Sequence, residues 1–171
     1  QKGALAVLLS MAAVALFTWF RFEWYFGVST VVALVHDVLV TLGFFALTQL
    51  EFDLNVVAAI LTIIGYSIND TVVIFDRLRE NLRKYKTTPL LDLMNLSVNE
   101  TLGRTVMTSG TTLLALLALL VLGGDVIRGF VFAITFGIVI GTYSSLYVAK
   151  NIVAWLGVKR DWSKPGAEAG T

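Results

Sequence analysis

Cysteine is absent from the sequence of 171 residues, and histidine occurs only once. The absence of cysteine excludes disulfides, zinc–thiolate centres and cysteine nucleophiles, and a single histidine argues against a metal site built from side chains. Charge is also scarce, because 15% of the residues are charged against about 25% in soluble proteins. The formal net charge of +1 provides no broad basic surface for nucleic acid.

Apolar residues take the place of the missing charge. They make up 57% of the chain, in a count that leaves out glycine, and the mean hydropathy is +0.80. Soluble domains reach about 45–50% even with glycine included. This composition excludes a disordered chain, a collagen-like chain and an ordinary cytosolic enzyme. It predicts a membrane protein that crosses the bilayer several times.

Five apolar stretches approach the roughly 20 residues that a helix needs to span a bilayer. Each must be a helix, because lipid leaves open strand edges without hydrogen bonds and no stretch alternates as a barrel strand does. We therefore predict an all-α membrane protein, a five-helix transmembrane bundle within residues 1–149. The predicted spans are 3–20, 26–48, 54–75, 105–122 and 129–149.

The basic residues predict the orientation of the bundle. Of the 13 lysines and arginines, 11 lie on one side of the predicted spans, in the connection 76–104, in the tail 150–171 and at Arg21. The positive-inside rule makes that side cytoplasmic and places the N-terminus on the periplasmic side. Because the chain starts outside without a signal, we expect an upstream segment, such as another span.

The cytoplasmic connection contains a helical pattern of its own. Thr88 and Pro89 are typical of a helix start, as an N-cap followed by proline at the first helical position. The residues that follow at helical spacing are Leu90, Leu93, Met94, Ser97 and Leu102. This pattern predicts an amphipathic helix that lies on the membrane surface or on a partner.

Asp37 is the charged residue nearest the centre of a predicted span. A carboxyl there costs about 2.5–3.5 kcal/mol on insertion scales, which favours a functional role over an interhelical hydrogen bond alone. Thr30, Thr41 and Thr48 share its helix face, and for these hydroxyls helix packing is the simpler interpretation. The neighbouring His36 could relay protons, but a hydrogen-bonding packing role is favoured.

A second polar group joins the third and fourth predicted spans. Asp70 lies among Ser67, Asn69 and Thr71, and Arg104 opens the fourth span from the same side. An ion pair is geometrically possible and is expected in at least one conformation; the alternative is that Arg104 reaches the headgroups. The hydroxyls expected to complete its hydrogen bonds are those of Thr108, Thr111 and Thr112, and Ser109 lies nearby as a further supporting polar residue.

An intramembrane acid with a movable basic partner can bind and release a proton. A proton that crosses 100 mV yields about 2.3 kcal/mol, which such a pair could convert into motion. In the fifth span, small residues recur every four positions and predict close helix packing; they are Ala133, Gly137, Gly141, Ser145 and Ala149. No pattern typical of an enzyme or of a bound cofactor is present.

Several motifs closely resemble the SecF branch of the SecD/SecF family of bacterial protein-export membrane proteins. The third span reads GYSINDTVV over residues 65–73 and continues as FDRLREN over residues 75–81. The other matching segments are Val35-His36-Asp37, Glu51-Phe52-Asp53, Arg104-Thr105, residues 108–112 and Gly123-Gly124. The sister branch, SecD, differs at residues 68–71, and the resemblance covers essentially the whole chain.

The resemblance implies helices two to six of a six-helix protein of the resistance-nodulation-division superfamily, in the bacterial inner membrane. It implies a pseudo-symmetric assembly with SecD, which acts with the SecYEG channel after SecA and uses the proton-motive force to complete preprotein export. Asp70 and Arg104 match the family's proton-transport residues, and Asp37 matches another recurrent acid. The coupling ion is the proton, or sodium as in some relatives.

Two other functions are compatible with the composition. A small-molecule efflux transporter of the same superfamily would be far longer, with large periplasmic insertions. A structural membrane scaffold would have little need for Asp37, Asp70 and Arg104 at membrane depth.

Overall fold

In a computed structural model, which describes residues 2–49 and 51–158, the chain folds into long helices. The described part contains no strand, and five helical segments are long and apolar enough to cross a membrane. The predicted all-α five-helix bundle is therefore confirmed. The helices are α1 (Lys2–Arg21), α2 (Trp24–Thr48), α3 (Leu54–Lys84), α4 (Leu90–Leu122), α5 (Asp125–Tyr143) and α6 (Ala149–Leu156).

Helices α5 and α6 form one continuous rod, because a five-residue π-helix, Ser144–Val148, joins them without a turn. We call the π-helix Ser144–Val148 the π segment, and we call the continuous rod the α5–π rod. Of the predicted tail 150–171, residues 159–171 lie outside the described residues.

Local sequence explains where the other helices begin and end. Asp53 caps α3, since its carboxylate accepts the amide of Val56 at 3.0 Å. Between α4 and α5, Gly123 is required because a Cβ atom there would overlap the carbonyl oxygen of Leu119.

Helix α3 lies at the centre and packs against α1, α2, α4 and α5. Its buried residues divide the core into two apolar clusters. One cluster includes Phe26, Phe75, Leu78, Leu93 and Val153. The other includes Leu34, Phe45, Ile60, Leu116 and Ile134. A buried polar band lies between the two clusters. It is formed by Ser67, Asp70 and Thr71 of α3 and by Ser144 and Ser145 of the π segment.

The segment after Pro89 differs from its prediction. It is not a separate helix, since residues 90–122 form one helix with no proline inside it. Leu93 and Met94 are buried in the first apolar cluster of their own chain. The apolar face that predicted a surface helix therefore serves the bundle core.

Candidate functional site

Asp37 of α2 lies beside the polar band, next to α3 and α5. Its side chain is 1% exposed, and the Ser67 hydroxyl from α3 donates to its Oδ2 at 2.7 Å. His36 Nδ1 lies 3.1 Å from Oδ1. The bare backbone of Gly141 closes the third side, because a Cβ atom there would lie 3.8 Å from Oδ2. This carboxyl therefore has partners on both oxygens.

Hydroxyl groups tie α3 to the π segment beside Asp37. Thr71 donates to the carbonyl of Ser67 at 3.0 Å, and its oxygen lies 3.0 Å from that of Ser145. Ser145 also donates to the same carbonyl at 3.3 Å. The predicted supporting residues Ser67 and Thr71 thus belong to the Asp37 group, not to Asp70.

Ser144 begins the π segment and is a residue that the sequence analysis did not identify. It is fully buried and its hydroxyl faces the Asp37 carboxyl, yet it makes no hydrogen bond among the described residues. π-Helices are rare and occur often at functional sites. The serine pair within an otherwise apolar helix is the sequence signal that could have indicated this position.

Asp70 has different surroundings from Asp37. It is 3% exposed, and its Oδ2 has no hydrogen-bond partner among residues 2–49 and 51–158. No ion pair within 4.0 Å joins Asp70 and Arg104 in the described part of the chain. The pair that the sequence analysis expected in at least one conformation is absent from this one and stays a prediction.

The hydroxyls of α4 do not complete a pair between Asp70 and Arg104. Thr108 donates to the carbonyl of Arg104 at 2.9 Å, and Thr111 and Thr112 likewise bond the carbonyls four residues before them. In this conformation they bond their own helix, as a threonine hydroxyl in an apolar helix commonly does. Their role beside an Asp70–Arg104 pair stays a prediction.

The remaining supporting residues also lie away from Asp70. Ser109 is buried, 2.9 Å from Thr142 and 3.3 Å from the Tyr66 hydroxyl that donates to it. Asn69 is exposed on α3, and His36 is partly exposed beside Asp37.

A charged group joins the polar ends of α3 and α4. Arg77 donates through Nε to Glu100 at 2.7 Å and through a terminal nitrogen to Glu80 at 2.6 Å. Asn81 donates to the same Glu100 oxygen at 2.8 Å. The hydrogen bond from Arg77 holds the pKa of Glu100 below its ordinary value. Arg104 is exposed and lines the open pocket beside this group.

The small residues of the fifth span are buried along one side of the α5–π rod. A Cβ atom at Gly137 would overlap Ile63 of α3. The backbones of α3 and α5 therefore approach closely, which brings the polar band together. The small residues on this side of the rod are Ala133, Gly137, Gly141, Ser145 and Ala149.

The ionisable groups of the site are two carboxyls, an imidazole and a guanidinium. The described part of the chain has no group of three or more histidine, cysteine, aspartate or glutamate side chains that could hold a metal ion. What the site contains is two buried carboxyls in membrane-spanning helices, one fully bonded and one with a free oxygen beside a basic residue.

Comparison with known families places these features in context. The sequence profile of the family "Protein export membrane protein SecD/SecF, C-terminal" matches residues 1–159. The chain is 68% identical over 171 residues to the protein translocase subunit SecF of Cereibacter sphaeroides, covering 100% of this chain and 53% of that protein. Its identity to the same subunit of Rhodobacter capsulatus is 65% over 159 residues, or 93% and 48% of the two chains.

Two solved structures are also similar. One is SecDF from Thermus thermophilus, described as a translocon-associated membrane protein; it matches with a TM-score of 0.87 and 50% identity, over 91% of this chain and 22% of that one. The other is SecDF in a super-membrane-facing form, with a TM-score of 0.84 and 51% identity over 90% and 21% of the chains. The chain spans about half the length of the curated relatives it matches.

Proposed function

The chain belongs to the SecD/SecF family of protein-export membrane proteins, and from this premise we propose that it forms membrane helices of a SecF-type subunit of the bacterial Sec translocase. In this proposal the full-length subunit assembles with SecD in the inner membrane. It acts with the SecYEG channel after SecA, and it uses the proton-motive force to complete preprotein export. The names of the relatives and of the SecDF structures support the translocase role and the partner.

Asp70 and Arg104 form the proton switch in this proposal. The supporting observation is the buried Asp70 carboxyl, which has one oxygen without a partner among the described residues and feels the charge of Arg104 without contact. A buried ionised carboxyl is costly when unpaired. Either a proton or an approaching guanidinium removes that cost, so the two events compete. Movement of Arg104 would then accompany each proton that binds or leaves.

Asp37 serves as a second proton-holding residue in the same path. Its carboxyl already has hydroxyl and imidazole partners, so its charge is better accommodated than that of Asp70. The coupling ion is the proton, no cofactor takes part, and the subunit is not an enzyme. The side chains bind and release an ion without covalent chemistry.

The test uses the full-length protein with SecD in inverted membrane vesicles that contain a stalled preprotein. We expect Asp70→Asn and Arg104→Met to lose the gradient-driven part of export and keep the part driven by SecA and ATP. Asp76→Asn is the matched control, since Asp76 lies on the same helix but is paired with Arg21 at the surface. Its export should equal that of the wild type.

Two results would contradict parts of this proposal. Gradient-driven export at wild-type level in both Asp70→Asn and Arg104→Met would leave a structural scaffold as the better interpretation. Export that survives a protonophore but stops when potassium replaces sodium would make sodium the coupling ion.

A further inference from the structure

Arg104 has a natural partner on its own helix that it does not use. Glu100 precedes Arg104 by four residues on α4, which is the favourable order for a helical ion pair. Both residues face the polar ends of α3 and α4, where Arg104 lines the pocket with Arg77 and Glu80. A guanidinium this close to two carboxylates would ordinarily pair with one of them.

Other residues occupy those carboxylates. Arg77 Nε and Asn81 Nδ2 both donate to Glu100 Oε2, at 2.7 and 2.8 Å. Asn81 is buried and fixed, because it also donates to Ser97 at 2.9 Å. The second arm of Arg77 bonds Glu80 at 2.6 Å. Asp76, which lines the pocket with Glu80, is paired with Arg21 at 3.2 Å.

The helix register places Asp70 within the same row. Asp70, Val73, Arg77 and Glu80 follow one another at helical spacing on α3, and Val73 lines the pocket with Arg104. Arg104 therefore lies between a buried acid on one side and carboxylates that already have partners on the other. Among the described residues it forms no ion pair of its own.

We propose that Arg77, anchored on Glu80, is a positioning residue that occupies Glu100 and thereby keeps Arg104 available to Asp70. This inference rests on the proposed function of the Asp70–Arg104 switch. Arginine suits the role because its planar guanidinium can bond two carboxylates at once through different nitrogens, which a lysine ammonium does less well. Without Arg77, Glu100 becomes free to capture Arg104 and compete with Asp70.

A purely structural role for Arg77 predicts a different pattern of variants. If the Arg77–Glu100 bond only fastens α3 to α4, then Arg77→Gln and Glu100→Gln break the same bond and have the same effect. The double variant would then be no better than either single variant. If Arg77 sequesters a competitor, only Arg77→Gln is harmful, and removal of Glu100 restores function.

The experiment measures gradient-driven preprotein export by the full-length protein with SecD in inverted vesicles. We expect Arg77→Gln to reduce that component about two- to fivefold, the size typical of one exposed ion pair. Glu100→Gln and the double variant Arg77→Gln/Glu100→Gln should stay within about twofold of the wild type. Arg77→Lys should fall between the two groups. Arg83→Gln is the control, because it removes the same charge from the exposed end of the same helix.

Three results would overturn the inference: wild-type export in Arg77→Gln, an impaired Glu100→Gln, or a double variant as impaired as Arg77→Gln. Co-purification with SecD checks assembly for each variant. If Arg77→Gln fails to assemble, Glu100→Gln and the double variant decide, because both lack the Arg77–Glu100 bond. Export near the wild-type level in both supports the inference, and impaired export in both overturns it. The proposed function has its own test, because an Asp70→Asn variant with wild-type export would exclude the switch whatever Arg77 does.

Discussion

Asp37 and Asp70 are both aspartates buried in membrane-spanning helices, and they face different surroundings. Asp37 accepts the Ser67 hydroxyl at 2.7 Å and contacts His36 at 3.1 Å. Asp70, three residues after Ser67 on α3, has a carboxyl oxygen with no hydrogen bond in the part of the chain that the structure describes. Burial is common to both, so the difference between the two carboxyls lies in their hydrogen-bond partners.

The hydrogen bonds around the two aspartates also involve different helices. The Asp37 group joins α2, α3 and the π segment through short hydrogen bonds. Side-chain bonds between α3 and α4 lie on both sides of Asp70, from Tyr66 to Ser109 and from Arg77 and Asn81 to Glu100 and Ser97.

The largest expected effect is a difference in stability between the alanine variants of the two aspartates. Asp37→Ala removes the acceptor of a buried hydroxyl, whereas Asp70→Ala removes a carboxyl that makes no such bond on its free oxygen. Both variants remove the same side-chain atoms from buried positions, so the comparison emphasises the hydrogen bonds. We expect Asp37→Ala to destabilise the protein by about 2–4 kcal/mol more than Asp70→Ala.

Reversible unfolding of the full-length protein in mixed detergent micelles measures this difference. Equal losses for the two alanine variants would show that the hydrogen bonds of Asp37 contribute nothing net, and the comparison would fail.

A steric variant tests whether close approach of α5 maintains the Asp37 group. A Cβ atom at Gly141 would lie 3.4 Å from the Ser67 side chain, so the methyl groups of Gly141→Val would push between Ser67 and Asp37. We expect a loss of about 1–3 kcal/mol in the same unfolding assay. Gly65→Val is the control, since a Cβ atom at that position meets nothing within 4 Å; its effect should be much smaller. Equal effects would exclude a specific role for the contact.

Two serines sharpen the comparison within the Asp37 group. Ser67 donates to the carboxylate, whereas the Ser144 hydroxyl makes no hydrogen bond among the described residues. We expect Ser67→Ala to cost about 1–3 kcal/mol and Ser144→Ala less than about 0.5 kcal/mol. The two changes remove the same atom from equally buried positions, so each is the control for the other. A Ser144→Ala cost as large as that of Ser67→Ala would mean that Ser144 bonds the carboxyl in the working protein.

The sequence predicted the helices better than the contacts between them. Hydropathy identified five spans because lipid demands long apolar helices wherever the chain crosses it. It also identified the polar residues Asp37, Asp70 and Arg104, since polar groups are rare at that depth. Which of them meet depends on the rotation of each helix about its axis, and that rotation is determined by packing.

The π segment shows most clearly which features the sequence pattern could not predict. The sequence analysis assigned Ser145 to a regular four-residue ladder on an α-helix, but five residues from Ser144 adopt the wider π form. The register change brings Ser145 to Thr71 and points Ser144 toward Asp37. Similarly, the pattern after Pro89 has the amphipathic spacing of a surface helix, and only tertiary contacts reveal that its apolar face is buried.

The smallest expected effect concerns the threonines of α4. Thr108, Thr111 and Thr112 donate to carbonyls of their own helix, which already have amide partners there. Valine has nearly the same shape and leaves no buried group unpaired, so Thr108→Val and Thr112→Val should change stability by less than about 0.5 kcal/mol. Gradient-driven export should also stay at the wild-type level, because neither hydroxyl contacts Asp70.

The matched variant is Thr71→Val, whose hydroxyl bonds Ser145 as well as its own helix. It should be measurably less stable than Thr108→Val. If Thr108→Val instead loses gradient-driven export while keeping its stability, then the α4 hydroxyls serve Asp70 and Arg104 in a second conformation. The free oxygen of Asp70 would in that case be a feature of one state of the switch, and Asp70 would gain, in the other state, hydrogen bonds like those that Asp37 has already.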